Sequence, residues 1–223
     1  MNYKHLLLLC TVPLLFACTK KSAPAPTPTP TPRLVQLSSD QYPHLSLIPR
    51  ADGRSLKFRL NQISPDFSSL EYELIYTATD GEIQIEKGYG DEVKIEGTEF
   101  ERDLLLGTES CTNGCKYKYD EGVTGGQINL TFYTKTGQVA TYQTPFRLVN
   151  STDINSLKKL DLEDQFSVGF TSLPKNIFLI VLKNNQKYSV FSSSPTKTSL
   201  TLITPSDMSK DNLNQIEGEY LLP

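Results

Sequence analysis

The chain has no tryptophan, and only two histidines and two methionines among its 223 residues. So little imidazole leaves scant material for acid–base work by the side chain that titrates nearest neutral pH. Neither sign of charge is in excess: 22 Lys and Arg stand against 25 Asp and Glu, a formal net charge of -3. A nucleic-acid binder would show a basic patch or stripe, so nucleic acid is not expected as a partner. Beyond the N-terminus no apolar run reaches the roughly 18 residues that a transmembrane helix needs. There is also no Gly-x-Ser-x-Gly elbow, phosphate-cradling glycine loop, dinucleotide fingerprint or Asp-rich calcium loop. Carboxylates are plentiful, but they are scattered along polar faces and spacing alone does not pair them for hydrolysis.

The N-terminus is where the sequence speaks most directly. Lys4 and His5 form a short basic region, and Leu6 to Phe16 an apolar stretch of signal-peptide length. It ends in Leu15-Phe16-Ala17-Cys18: an aliphatic residue, a tolerant position, a small residue, then cysteine. This resembles the lipobox of bacterial lipoprotein precursors. The resemblance implies a signal peptide over residues 1–17 and cleavage between Ala17 and Cys18. It also implies a diacylglyceryl group on the Cys18 thiol and an acyl chain of the palmitate type on the new N-terminus. Phe16 departs from the small residue the family prefers there, and Cys10, the competing cysteine, follows Leu9, which is too large for the cleavage site. Several acyl chains at about 0.8 kcal/mol per buried methylene make a stable anchor. Thr19, not Asp, follows Cys18. For a diderm envelope this favours the outer membrane, and for a monoderm one the outer face of the cell membrane.

Residues 18–35 are the lipidated N-terminus and a linker. Within it Ser22 to Pro32 reads SAPAPTPTPTP, holding five of the chain's 14 prolines. Such a run favours extended polyproline II, and at about 3.1 Å per residue it spans on the order of 34 Å. Next to a lipidated cysteine it reads as a spacer.

From about Leu34 the pattern becomes short apolar alternations bounded by turn residues. Leu56, Phe58 and Leu60; Leu70, Tyr72, Leu74 and Tyr76; Ile83 and Ile85; Val93 and Ile95; and Ile128, Leu130 and Phe132 all recur with a period of two. Ala51-Asp52-Gly53, Thr79-Asp80-Gly81, Gly125-Gly126 and Thr136-Gly137 supply turn signals. This predicts an all-β chain folded as an antiparallel β-sandwich. The segment Leu70 to Tyr76 is similar to a central strand of fibronectin type III and related immunoglobulin-like domains. Two domains are favoured, a sandwich over residues 36–149 and a smaller β domain over 165–223, the alternative being that the second block completes the first sandwich. Residues 150–164 would connect them through a short helix capped by Ser151. In the second block the unbroken apolar run Ile177 to Leu182 points to a strand buried on both faces.

Cys111 and Cys115 flank Thr112-Asn113-Gly114, a tight-turn sequence. In an exported protein a structural disulfide is the expected state, with a redox pair or metal site as alternatives. Zinc wants four ligands, and past the signal peptide the only histidine is His44, so no metal or cofactor is expected. Lys116-Tyr117-Lys118-Tyr119 alternates base and aromatic. It fits a strand with tyrosines packed inward, or a binding surface of rigid amphipathic rings, with Asn113, Tyr117 and Tyr119 as its candidate residues. No catalytic residue is singled out. The leading expectation is an anchored envelope protein that binds or displays without catalysis, its partners an envelope protein or polysaccharide. An envelope hydrolase using carboxylates, and a structural assembly protein, are the rivals.

Overall fold

A computed structural model describes residues 33–38, 41–157, 159–162, 166–170, 173–184, 187–194, 200–203, 212–213 and 218–221. Cys18, Ala17 and the proline-rich spacer lie outside them. In chain order the strands are β1 (Arg33–Leu34), β2 (His44–Pro49), β3 (Ser55–Asn61), β4 (Phe67–Asp80), β5 (Ile83–Lys94), β6 (Glu99–Leu105), β7 (Gly107–Cys111), β8 (Cys115–Tyr119), β9 (Gly125–Thr134) and β10 (Gln138–Asn150). A short helix, α1 (Ser151–Leu157), leads to β11 (Lys159–Leu162), β12 (Phe166–Phe170), β13 (Phe178–Asn184), β14 (Lys187–Ser192), β15 (Leu200–Ile203), β16 (Asn212–Leu213) and β17 (Gly218–Leu221).

The fold is an all-β sandwich built from antiparallel sheets. One face is the three-stranded sheet β2-β3-β6, and the other belongs to a long sheet ordered β17-β14-β13-β10-β9-β4-β5. The two-residue strand β1 adds to β10 in parallel. Alternation in the sequence becomes burial in the sheet: on β4, Leu70, Tyr72, Leu74, Tyr76 and Ala78 are buried, while Glu71 and Glu73 between them are exposed. They meet Leu56, Phe58 and Leu60 of β3 and Ile128, Leu130 and Phe132 of β9 in one cluster. Aromatic pairs stiffen it, with Phe67 stacked on Phe132 at 4.8 Å and Phe58 tilted against Tyr72 at 5.4 Å.

The strand expected to be buried on both faces is β13. Leu179, Ile180, Val181 and Leu182 are each fully buried. Ile180 and Leu182 join the first cluster; Leu179 and Val181 face a second one with Ile154, Leu160, Val168, Tyr188 and Val190. A four-stranded sheet, β11-β12-β15-β16, contributes Leu160 and Val168 to that second cluster. β10 crosses residue 149 without a break and pairs with β13 from Phe146↔Leu182 to Asn150↔Phe178.

Three local expectations change. Gly125-Gly126 is not a turn but the start of β9, where a Cβ on either glycine would strike a carbonyl of the neighbouring strand, Phe146 on β10 or Ile75 on β4. Ile83 faces water at 67% exposure, because β5 is the edge strand of the long sheet. Asn150, not Ser151, caps α1: its Oδ1 accepts the Thr152 N–H at 2.9 Å. The fully buried Ser151 hydroxyl instead accepts the Ile177 N–H at 3.1 Å, tying α1 to the start of β13.

Candidate functional site

The strands β7 and β8 form a hairpin of their own, in register from Gly107↔Tyr119 to Cys111↔Cys115. The two sulfurs lie at disulfide distance, 2.20 Å, with Cα atoms 4.1 Å apart, across the Asn113-Gly114 tip. Asn113 is exposed. Tyr117 and Tyr119, two residues apart on one strand, project to the same side. Their rings are nearly parallel, 7° apart in plane and 6.2 Å between centroids. Neither belongs to either apolar cluster; Tyr117 is 50% exposed and Tyr119 half-buried. Glu109 stands directly across from Tyr117 and holds its phenol above the ordinary value. Glu109 and the two sulfurs are also the one grouping among the described residues with the spacing of metal ligands. With the sulfurs bonded to each other there are no thiolates to give, and a single carboxylate is not a metal site.

The base of the hairpin is fixed to two other segments. The Leu106 N–H donates to the Arg54 carbonyl and the Asp120 N–H to the Leu106 carbonyl, so the β2–β3 turn sits beneath it. The Thr79 N–H donates to the Glu121 carbonyl, which brings in the end of the β4–β5 hairpin. At the junction the Asp120 carboxylate accepts from the Tyr76 hydroxyl at 2.7 Å and from Lys87 Nζ at 2.5 Å, with its side chain only 5% exposed. Burial and that bond to Asp120 raise Tyr76 above its ordinary value. The Arg54 guanidinium lies 4.4 Å from the centre of the Tyr119 ring, a cation–π contact worth about 0.5–1 kcal/mol at an exposed site. One end of the sandwich thus gathers two turns and the tyrosine hairpin.

Beside this end opens a cleft of about 530 Å³. Its charged wall residues are Asp52, Arg54, Asp120, Arg147, Asp153 and Asp161. Arg54 is therefore shared between the hairpin and the cleft. Neither arginine, nor Asp120, stands out in the sequence; strand pairing places Arg147 opposite Gly125 and Val181, and no local pattern announces that. His44, the only histidine past the signal region, opens β2 opposite Asn61. It is not among the residues of the cleft. No family model matches this chain, and no curated protein matches it either.

Proposed function

We propose that this is a lipid-anchored, extracytoplasmic protein of the bacterial envelope that works by binding or display and not by catalysis. The lipobox Leu15 to Cys18 and the proline-rich spacer support the anchoring. The three strands β2-β3-β6 facing β5-β4-β9-β10 make a sandwich of antiparallel sheets, an architecture shared by many cell-surface domains. The observation that carries the binding reading is the hairpin end: two parallel tyrosines outside both cores, held rigidly by backbone bonds and by Arg54. Rigid aromatic rings give large contact area at low entropic cost.

Photo-crosslinking in the native host tests it. A photoreactive residue at Tyr117 yields a discrete adduct, protein or polysaccharide, while the same residue at Lys135, on the β9–β10 turn, does not. Cys18→Ser leaves the chain unprocessed or released and abolishes the adduct where the partner is membrane-held. Equal labelling from both positions, or unchanged membrane extraction of Cys18→Ser, overturns the respective half of the reading.

One observation favours the hydrolase rival: four aspartates share the cleft. Asp52 is already engaged by Arg50 and by the Arg54 N–H, and Asp120 by Lys87 and Tyr76. Asp153 and Asp161 are engaged within the chain as well, and on this rival reading they would be its acid–base pair. Polysaccharide cleavage abolished by Asp153→Asn would establish it.

A further inference from the structure

We infer that the cleft beside the hairpin binds a ligand of sugar or amino-acid size through a single carboxylate held by Arg54 and Arg147. The cleft's volume of about 530 Å³ lies in the ordinary range for small-molecule sites, about 300–1,000 Å³. Val123, Val149 and Phe178, each half-buried, make an apolar wall for the body of a ligand. Gly53 keeps that wall close. It sits at φ +67°, and any Cβ there would collide with the Phe178 ring.

The charged residues divide by what they already hold. Asp52 has Arg50 at 3.5 Å and the Arg54 N–H at 3.0 Å. Asp120 has Tyr76 and Lys87. Asp161 accepts from the Ser167 hydroxyl, and Asp153 is likewise engaged within the chain. Arg54 and Arg147, by contrast, make no ion pair among the described residues. Arg54 rests on Tyr119 with its hydrogen-bonding edge unspent. The unused recognition groups of the cleft are thus two guanidinium forks, and a guanidinium fork matches a carboxylate or phosphate in bidentate geometry. The four carboxylates of the same wall decide between those. Like charges at close range repel, so a dianionic phosphate meets about twice the repulsion that a monoanion does. The carboxylate of a uronic acid and that of a peptide C-terminus are the two sources of this chemistry.

The site uses neither Tyr117 nor Asn113 and shares only Arg54 with the hairpin, through Tyr119, so Arg147→Gln separates its failure from that of the hairpin reading. The test is a nitrogen-edited NMR titration of the full chain in detergent, following the amides of Gly53, Val123, Thr124 and Asn150. The probes are D-glucuronate and N-acetyl-leucine, with D-glucose and inorganic phosphate as comparators. The expected result is saturable shifts with at least one carboxylate probe, and whichever saturates names the source. Arg54→Gln and Arg147→Gln each weaken that binding about tenfold, the loss of one charge-assisted hydrogen bond. Lys135→Ala, on the β9–β10 turn, leaves it unchanged. If Arg54→Gln alters the thermal midpoint, Arg147→Gln on its exposed strand position carries the comparison. The proposal falls if neither carboxylate saturates, if glucose or phosphate binds as tightly, or if Arg147→Gln binds like the unaltered chain.

Discussion

Leu179→Ala asks whether this chain holds one cooperative core or two. Leu179 points into the second cluster, while its neighbours Ile180 and Leu182 on the same strand point into the first. All three are fully buried. Truncation to alanine removes buried carbons and leaves a cavity, at a cost of about 2–5 kcal/mol. Taking about 3 kcal/mol, the unfolding equilibrium moves by roughly 150-fold, since each 1.4 kcal/mol is a factor of ten. The thermal midpoint falls by about 6–12 °C for a chain of this size. The informative assay is native-state hydrogen exchange read by mass spectrometry, because it separates regions. One peptide covers residues 70–76 on β4, deep in the first cluster, and another covers 187–192 on β14, which lines the second. Freeing β13 strips the β10 edge of its pairing over Phe146 to Asn150 and withdraws Ile180 and Leu182 from the first cluster. Both peptides therefore lose protection by a similar factor, and unfolding is a single transition. If β4 keeps its original protection while β14 loses it, the coupling argument fails. Residues 36–149 and 165–223 would then be separately stable, and trypsin would cut the native chain at Lys158-Lys159.

Alkaline titration checks the buried phenols. Burial first, then the adjacent Tyr89, push Tyr72 up to about 12, and Tyr76 is raised as well by burial and Asp120. With unfolded values near 10, the neutral forms hold the fold, so this stability is intact below about pH 10 and is lost as pH rises towards 12. Absorbance at 295 nm should show late-ionising tyrosines whose titration coincides with unfolding, and Tyr72→Phe should move that midpoint upward. Among the described residues the Tyr72 hydroxyl has no hydrogen-bond partner, so at pH 7 the same variant is neutral or more stable; a loss above about 1 kcal/mol would show a bond that this geometry lacks. Cys111 and Cys115 should resist alkylation in protein purified without reductant, with an intact mass two hydrogens below the dithiol. Replacing both by alanine should cost less than the roughly 3 kcal/mol of a 15-residue loop and leave the β-type circular dichroism intact.

What could be read in advance follows from how local each cause is. The alternation on β3, β4 and β9 is legible because a strand with one buried face must repeat every two residues, and the unbroken run in β13 because two buried faces erase the repeat. Gly125-Gly126 misleads because glycine serves both turns and close strand contacts, and only the carbonyls of Phe146 and Ile75 decide between them. Ile83 misleads because an edge strand keeps the pattern of a core strand without a sheet to cover it. The tyrosines of β8 are a subtler case. Their alternation with lysine is that of an amphipathic strand, yet among the described residues their hairpin pairs with no other strand, and the shared face meets Arg54. The cleft had no local signature at all. Arg54 follows a turn whose glycine is packed against Phe178, and Arg147 lies on a strand whose register with β13 is set by apolar pairing around it. What brings those two guanidinium groups into one cleft is the packing of the core. Substitutions in that core should therefore perturb the cleft's chemistry without touching a charged residue.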